Sequence, residues 1–179
     1  SYHLNPQKDL RSLTTENNIW EDSDPKMLYI WFRDRVTDES KSFQLRRTVK
    51  YLKMWASLHF PEDERPSSIL LTVLATESFM KLSPDQISGD DEVLKYVIND
   101  VIERLEIDLA VQNPVDSSEN LNRLEESQSI IFLEKLNDLS HIAENAIGAN
   151  TEVESACIWT EAFYHFFPMP ESSENVSSN

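Results

Sequence analysis

Apolar residues recur mostly at intervals of three and four along this chain, which is the period of an amphipathic α-helix. Residues 92–107 give the clearest example, with one apolar face made of Leu94, Val97, Ile98, Val101, Ile102 and Leu105. Further helices are predicted at 23–36, 42–59, 67–82, 122–147 and 151–167. The segment 69–82 is apolar almost all round, so we expect it at the buried centre of a bundle. The pattern predicts a mainly α fold, a bundle of about six helices.

The opening segment "SYHLNP" departs from the helical period. It predicts the end of a strand, with Tyr2 and Leu4 on one face and Pro6 at its end. A single strand is not stable without partners. We therefore expect it to pair either within an oligomer or, as we favour, with a missing sheet that precedes Ser1.

The segment "DLAVQNPVDSSEN" at 108–120 also lacks the helical period. It is predicted to be extended and broken at Pro114. The sequence shows no internal repeat and no boundary within its helical part. We therefore expect one helical lobe over 23–168, followed by a disordered polar tail over 169–179.

Composition excludes several kinds of site. The chain has two glycines, which excludes a Gly-rich phosphate loop. The single cysteine, Cys157, cannot form a disulfide framework or a cysteine zinc site, and it fits a reducing, cytoplasmic compartment. Cys157 lies in an apolar helix and is expected to be a buried filler. No apolar run is long enough to cross a bilayer, so no membrane partner is expected. The tryptophans are expected to be core anchors: Trp20, Trp31, Trp55 and Trp159.

The charge of the chain is unevenly distributed. Residues 1–65 carry as many acidic as basic side chains, so residues 66–179 hold the entire formal net charge of −16. Duplex nucleic acid is bound by basic surfaces, so we do not expect this chain to bind it. A small phosphate ligand could still bind at one local basic site.

The segment "LRRTVKYLKMWASLHFPEDERPSS" at 45–68 is such a local site. Arg46, Lys50 and Lys53 fall on one face of the predicted helix, beside a narrow apolar stripe. No acidic residue lies between Glu39 and Glu62, so these cations have no partner within their own helix. They suit an anion that arrives from outside. Pattern alone favours the alternative, a solvated face that pairs with acidic neighbours across the bundle.

The sequence Pro66-Ser67-Ser68 opens the next predicted helix. Hydroxyl groups and free backbone N–H groups at a helix N-terminus can bind an anion. The alternative is ordinary capping, which this pattern alone favours. Ser68 and Lys53 lie at the same end of a helical hairpin only if the intervening loop folds back.

Several motifs together resemble a known family. They are "WEDSDPK" at 20–26, "LRRTVKYLKMW" at 45–55, "RPSS" at 65–68, "NPVDSSENLNR" at 113–123 and "IWTEAFYHFFP" at 158–168. In this order they resemble the C-terminal helical half of the bacterial cGAS/DncV-like nucleotidyltransferases, the cyclic-oligonucleotide synthases of CBASS anti-phage signalling. The resemblance covers most of the chain and is loosest over the last fifty residues.

The resemblance implies roles for individual residues. Lys53 and Ser68 would contact the triphosphate of an NTP, and Ser23 and Asp24, which also read as a helix cap, would contact the base. A serine at position 23 looks more like a purine reader than a pyrimidine reader. The residues that would support the triphosphate contacts are Ser67, Lys50 and Arg46. In animal relatives an aromatic residue often follows the second serine, whereas this chain has Ile69.

The resemblance also implies what this chain lacks. The family binds two Mg²⁺ ions with a Gly-Ser motif and three carboxylates on a sheet, and no such set is visible in this sequence. We expect the catalytic residues upstream of Ser1, on an N-terminal catalytic lobe. Residues 1–22 would then be the end of that lobe's sheet and a connecting loop. The implied function is synthesis of a cyclic di- or trinucleotide second messenger from NTPs; the alternative is a non-catalytic acidic helical interaction module.

Overall fold

A computed structural model describes residues 25–86 and 89–167. Its helices are α1 (Pro25–Arg35), α2 (Glu39–His59), α3 (Ser68–Phe79), α4 (Asp90–Ile107), α5 (Glu126–Ile147) and α6 (Glu152–Phe163). Short 3₁₀ helices lie at Glu62–Glu64, Pro84–Gln86 and Tyr164–Phe166. The prediction of a mainly α fold with about six helices is confirmed. The predicted N-terminal strand and the predicted tail lie outside the described residues.

Polar side chains fix where three of these helices begin. Asp38, Ser67 and Thr151 each accept a hydrogen bond from the backbone N–H three residues later, at 2.9, 3.2 and 3.1 Å. Each bond satisfies a donor that has no partner within its helix. Because Asp38 caps α2, this helix begins at Glu39, three residues before the predicted start.

Helix α3 is the centre of the bundle, as its apolar sequence predicts. It packs against α1, α2 and α4. Helices α4, α5 and α6 follow in turn, and α2 also contacts α4 and α6. The basic helix α2 is therefore held on three sides by other helices. The buried residues of α3 are Ile69, Leu70, Leu71, Val73, Leu74, Ala75, Thr76, Ser78 and Phe79.

The segment predicted to be extended forms a two-stranded antiparallel hairpin. Strand β1 (Gln112–Asn113) pairs with β2 (Asp116–Asn120), and Pro114 lies in the turn between them. Asn113 is buried and donates a hydrogen bond to Glu119 Oε2 at 2.7 Å. These local polar contacts stabilise a hairpin that is too short to be stable by strand pairing alone.

The tryptophan prediction is confirmed where the structure tests it, and the cysteine prediction is wrong. Trp55 and Trp159 are buried, Trp31 is half-buried against the core, and Trp20 lies outside the described residues. Cys157 is exposed. The core stripe of α6 repeats at helical spacing through Ala156, Trp159, Ala162 and Phe163, and Cys157 falls beside that stripe.

None of the helices in the described part of the chain is both long enough and apolar enough to span a bilayer.

Candidate functional site

Helix α2 has a buried apolar stripe and a cationic face beside it, as its sequence predicts. The predicted apolar stripe of Leu45, Val49, Leu52 and Ala56 is buried. Beside it, Lys50 and Lys53 are half-buried and Arg46 is exposed. The Arg46 guanidinium lies 5.9 Å from the centre of the exposed Phe43 ring. The cationic face is therefore open to solvent along one side of a well-anchored helix.

Part of the basic segment pairs with acidic residues across the bundle, as the alternative interpretation expected. Arg47 donates two hydrogen bonds to Asp90 of α4, from Nε to Oδ2 at 2.6 Å and from Nη2 to Oδ1 at 2.9 Å. Gln44 donates a third to Asp90 Oδ1 at 3.2 Å. Lys50 and Lys53 also have interaction partners. The sequence predicted only that Arg46, Lys50 and Lys53 have no carboxylate within their own helix, and it could not show that α4 brings Asp90 to Arg47.

The Arg47–Asp90 pair changes the titration of both groups. The hydrogen bonds from Arg47 lower the pKa of the Asp90 carboxyl below its ordinary value of 3.8, against the opposing effect of partial burial. The hydrogen bond to Asp90 raises the pKa of Arg47. Burial, and next the negative charge of Asp90, raise the pKa of the Tyr51 phenol. At neutral pH this region therefore holds a carboxylate, a guanidinium and a neutral phenol.

Two cations hold the C-terminal end of α2 in a different way. The Arg65 Nη2 group donates to the carbonyl oxygens of Phe60 at 3.2 Å and Ser57 at 3.4 Å. Lys135 of α5 donates to the carbonyl oxygen of His59, and its ammonium lies 4.3 Å from the centre of the Phe60 ring. Positive groups suit this end because the last carbonyls of a helix are unpaired and carry partial negative charge.

Arg65 also folds the loop between α2 and α3 back onto α2. Its Nε is buried and has no hydrogen-bond partner among the residues that the structure describes. Helices α2 and α3 contact each other, and Ser68 is the first residue of α3. Lys53 precedes His59 by about 9 Å along the helix axis. The two predicted triphosphate contacts therefore lie at the same end of the α2–α3 pair.

The two serines at this helix start have different roles. The Ser67 hydroxyl accepts a hydrogen bond from the Leu70 backbone N–H at 3.2 Å, so it is the N-cap of α3. Within residues 25–86 and 89–167, the Ser68 hydroxyl makes no hydrogen bond, although its carbonyl oxygen accepts one from Thr72 at 2.7 Å. Ser68 is half-buried, so its hydroxyl is the one available to a ligand. Ile69 is buried in the core and offers no stacking surface.

Some of the site was not predicted, and some lies beyond the structure. Ser23 and Asp24 lie outside the described residues; α1 begins at Pro25. The role of Arg65 was not predicted, although an arginine directly before the Pro66 of a helix start is a signal that could have suggested it. Lys135 could not have been found, because it lies 76 positions from the His59 carbonyl that it contacts.

Comparison with curated proteins finds a relative in sequence. No protein-family model matches the chain. A cyclic GMP-AMP synthase of Escherichia albertii is 26% identical over 151 residues, which cover 83% of this chain and 32% of the relative. The chain is thus similar to a cGAS/DncV-like nucleotidyltransferase over most of its own length. The motif-based resemblance is thereby confirmed, and the chain spans about a third of the length of the curated relative that it matches.

Solved structures show the same fold. The chain matches Vibrio cholerae DncV cyclic AMP-GMP synthase in complex with the linear intermediate pppA(3′,5′)pG, with a TM-score of 0.67 and 22% identity over 82% of this chain and 38% of that one. It matches DncV in complex with nonhydrolysable GTP with a TM-score of 0.67 and 22% identity, over 82% of this chain and 39% of that one. The helical bundle thus has the same fold as one part of DncV.

Proposed function

We propose that residues 23–168 form the nucleotide-binding helical lobe of a nucleotidyltransferase that makes a cyclic di- or trinucleotide from NTPs in anti-phage signalling. Two comparisons support this proposal: the sequence relative is a cyclic GMP-AMP synthase, and the matching DncV structures contain nonhydrolysable GTP or the linear intermediate pppA(3′,5′)pG. Residues 1–22 then connect to the catalytic lobe, which is the partner of this lobe. The NTP substrates include a purine nucleotide.

Lys53 and Ser68 are the proposed triphosphate contacts. The observation that carries this proposal is that Arg65 folds the connecting loop onto the end of α2, so that the Lys53 turn and the start of α3 share one end of the helix pair. An ammonium group, a free hydroxyl and the first N–H groups of a helix are all donors that polyphosphate oxygens accept.

The remaining site residues have supporting roles in this proposal. Lys50 and Arg46 add positive charge along α2, and Ser67 holds the start of α3 in place by capping it. Ser23 and Asp24 precede α1 and would contact the base through a hydroxyl and a carboxylate.

Magnesium is assigned to the catalytic lobe. The described residues contain no group of three or more histidine, cysteine, aspartate or glutamate side chains that could hold a metal ion, so they do not fit a Mg²⁺ site. No step of the proposal for this lobe therefore depends on the metal. The work of this chain is to bind and orient NTPs.

The test is Lys53→Ala in the full-length protein. We expect the KM for ATP or GTP to rise roughly 30-fold, since a lost charge-assisted hydrogen bond is worth about 2 kcal/mol. Lys41→Ala is the matched control, because it removes the same charge from the same helix about 18 Å from Lys53. Circular dichroism checks that both variants stay helical. Equal KM values for the two variants would show that Lys53 is not a triphosphate contact.

The second candidate is a non-catalytic acidic interaction module. The Arg47–Asp90 pair favours it, because part of the basic segment is already occupied within the bundle. A thermal melt of the full-length protein separates the two candidates. A nucleotide-binding lobe predicts that ATP or GTP raises the Tm, whereas the interaction module predicts no shift with any NTP.

A further inference from the structure

A cleft of about 490 Å³ opens between α2, α4 and α6. Aromatic rings make up much of its wall. Tyr51 and Phe163 have ring centres 5.3 Å apart, and Phe163 and Phe167 stack at 6.0 Å. Trp159 stacks on Phe167 at 6.1 Å. The volume falls within the range of small-molecule binding sites.

The cleft is acidic as well as aromatic. Asp90, Asp91 and Glu152 line it, and no lysine or arginine is among its lining residues. Asp90 pairs with Arg47, whereas Asp91 accepts a hydrogen bond from the backbone N–H of Glu92 at 2.9 Å. Within the described part of the chain, Glu152 has no ion-pair partner. Both carboxylates lie in the first turn of a helix, whose N-terminus attracts negative charge, but no cationic side chain lines the cleft opposite them.

We propose that this cleft binds a small organic cation that carries a flat ring. Of the rings that line the cleft, Tyr51 and Phe167 are half-buried and keep exposed surface that can attract a cation, whereas Trp159 and Phe163 are buried. The carboxylates of Asp91 and Glu152 complement a positive charge at the rim. The same carboxylates repel phosphate, so this site differs in ligand class from the region of Lys53 and Ser68. The inference does not rest on the proposed nucleotide function.

The chain's own C-terminal segment is a poor match for this cleft. It follows Phe167 directly, but residues 168–179 contain Glu171 and Glu174 and no lysine or arginine. Its charge has the same sign as the rim, and like charges disfavour docking. Charge complementarity therefore points to a separate cationic ligand.

The test uses two probes with the same ring and opposite charge. Tryptamine carries an ammonium group on an indole, and indole-3-acetate carries a carboxylate on the same ring. Titration of the 179-residue chain, followed by NMR, measures both dissociation constants. We expect tryptamine to bind at least about tenfold more tightly, because two rim carboxylates attract one probe and repel the other. No binding of tryptamine, or equal binding of the two probes, would overturn the proposal.

Matched variants assign the binding to this cleft. Glu152→Gln should weaken tryptamine binding about threefold. Glu161→Gln makes the same charge change on α6, but Glu161 is exposed nine positions later and so about 180° around the helix, and it should leave binding unchanged. Ser155→Leu fills the cleft without changing charge and should abolish binding, while circular dichroism confirms the fold. Equal weakening by the two glutamine variants would indicate attraction to the net charge alone and would contradict the assignment.

Discussion

The Arg47 region of α2 and its C-terminal end use their cations in opposite ways. Arg47 donates to a carboxylate, Asp90, and the pair is neutral. Arg65 and Lys135 donate to backbone carbonyls of Ser57, Phe60 and His59, which carry no formal charge. The three nearby carboxylates of Glu62–Glu64 are exposed and make no ion pair with Arg65.

This difference indicates which part of α2 can bind an anion from outside without losing an existing ion pair. An anion near Arg47 would compete with Asp90 for the same guanidinium. An anion at the C-terminal end would meet cations whose partners are neutral dipoles, together with the first N–H groups of α3. The comparison therefore favours this end of the α2–α3 pair, where Lys53 of α2 and Ser68 of α3 lie, as the place for a triphosphate. Substitutions at four positions test it.

The largest effect is expected from Arg65→Ala. Its loss leaves the Ser57 and Phe60 carbonyls without a donor and frees the loop, so we expect the free energy of unfolding to fall by about 2 kcal/mol. Arg65→Lys should retain part of this stability, since an ammonium can still donate to one carbonyl. Urea denaturation of the 179-residue chain, followed by circular dichroism, measures both losses.

Arg47→Ala is the control for the other region. It also removes one arginine, but the pair is partly exposed, so the loss should be about 0.5–1 kcal/mol. In the full-length protein, Arg65→Ala should raise the KM for NTP and Arg47→Ala should not. If both variants raised KM equally, the two regions would not differ in the way proposed.

The Asp90 carboxylate should make stability depend on pH. Its pKa is lower in the folded chain than the ordinary value of 3.8, so its contribution is fully present above that value and is lost as the pH falls through the folded pKa. Asp90→Asn should therefore lower stability by about 0.5–1 kcal/mol near neutral pH and by less in acid. Urea melts at several pH values measure this; a constant difference between the wild type and the variant would contradict it. Arg65→Ala should show no such acid dependence.

The sequence predicted the helices and their buried faces better than the contacts between residues of different helices. Apolar spacing fixes which face of α2 is buried, so Leu45, Val49, Leu52 and Ala56 were predicted correctly. The same local rule says nothing about long-range pairs. Asp90 lies 43 positions from Arg47, and only the packing of α4 against α2 brings them together. For this reason the absence of carboxylates between Glu39 and Glu62 was a poor guide to which cations of α2 are paired.

The Pro-Ser-Ser sequence also predicted where α3 starts, but not which of the two serines caps the helix. This sequence is compatible with a helix that begins at Ser67 or at Ser68. The backbone decides that Ser67 is the cap and Ser68 the first helical residue. The prediction that Cys157 is buried was wrong for a similar reason. An apolar segment predicts a helix, but a shift of one residue along that helix decides whether a side chain faces the core.

The smallest effect is expected from Arg46→Ala. Its guanidinium lies 5.9 Å from the Phe43 ring centre, and that ring is 48% exposed, so the contact should contribute no more than about 0.5 kcal/mol to stability. Any role of Arg46 must then come from its charge at a distance, which salt screens. We therefore expect Arg46→Ala to raise the KM of the full-length protein for NTP about twofold at low salt and to have no effect at about 1 M NaCl. A salt-independent rise in KM would mean that Arg46 contacts the nucleotide directly, and the anion site would then extend along α2 toward Arg47 instead of ending near Lys53.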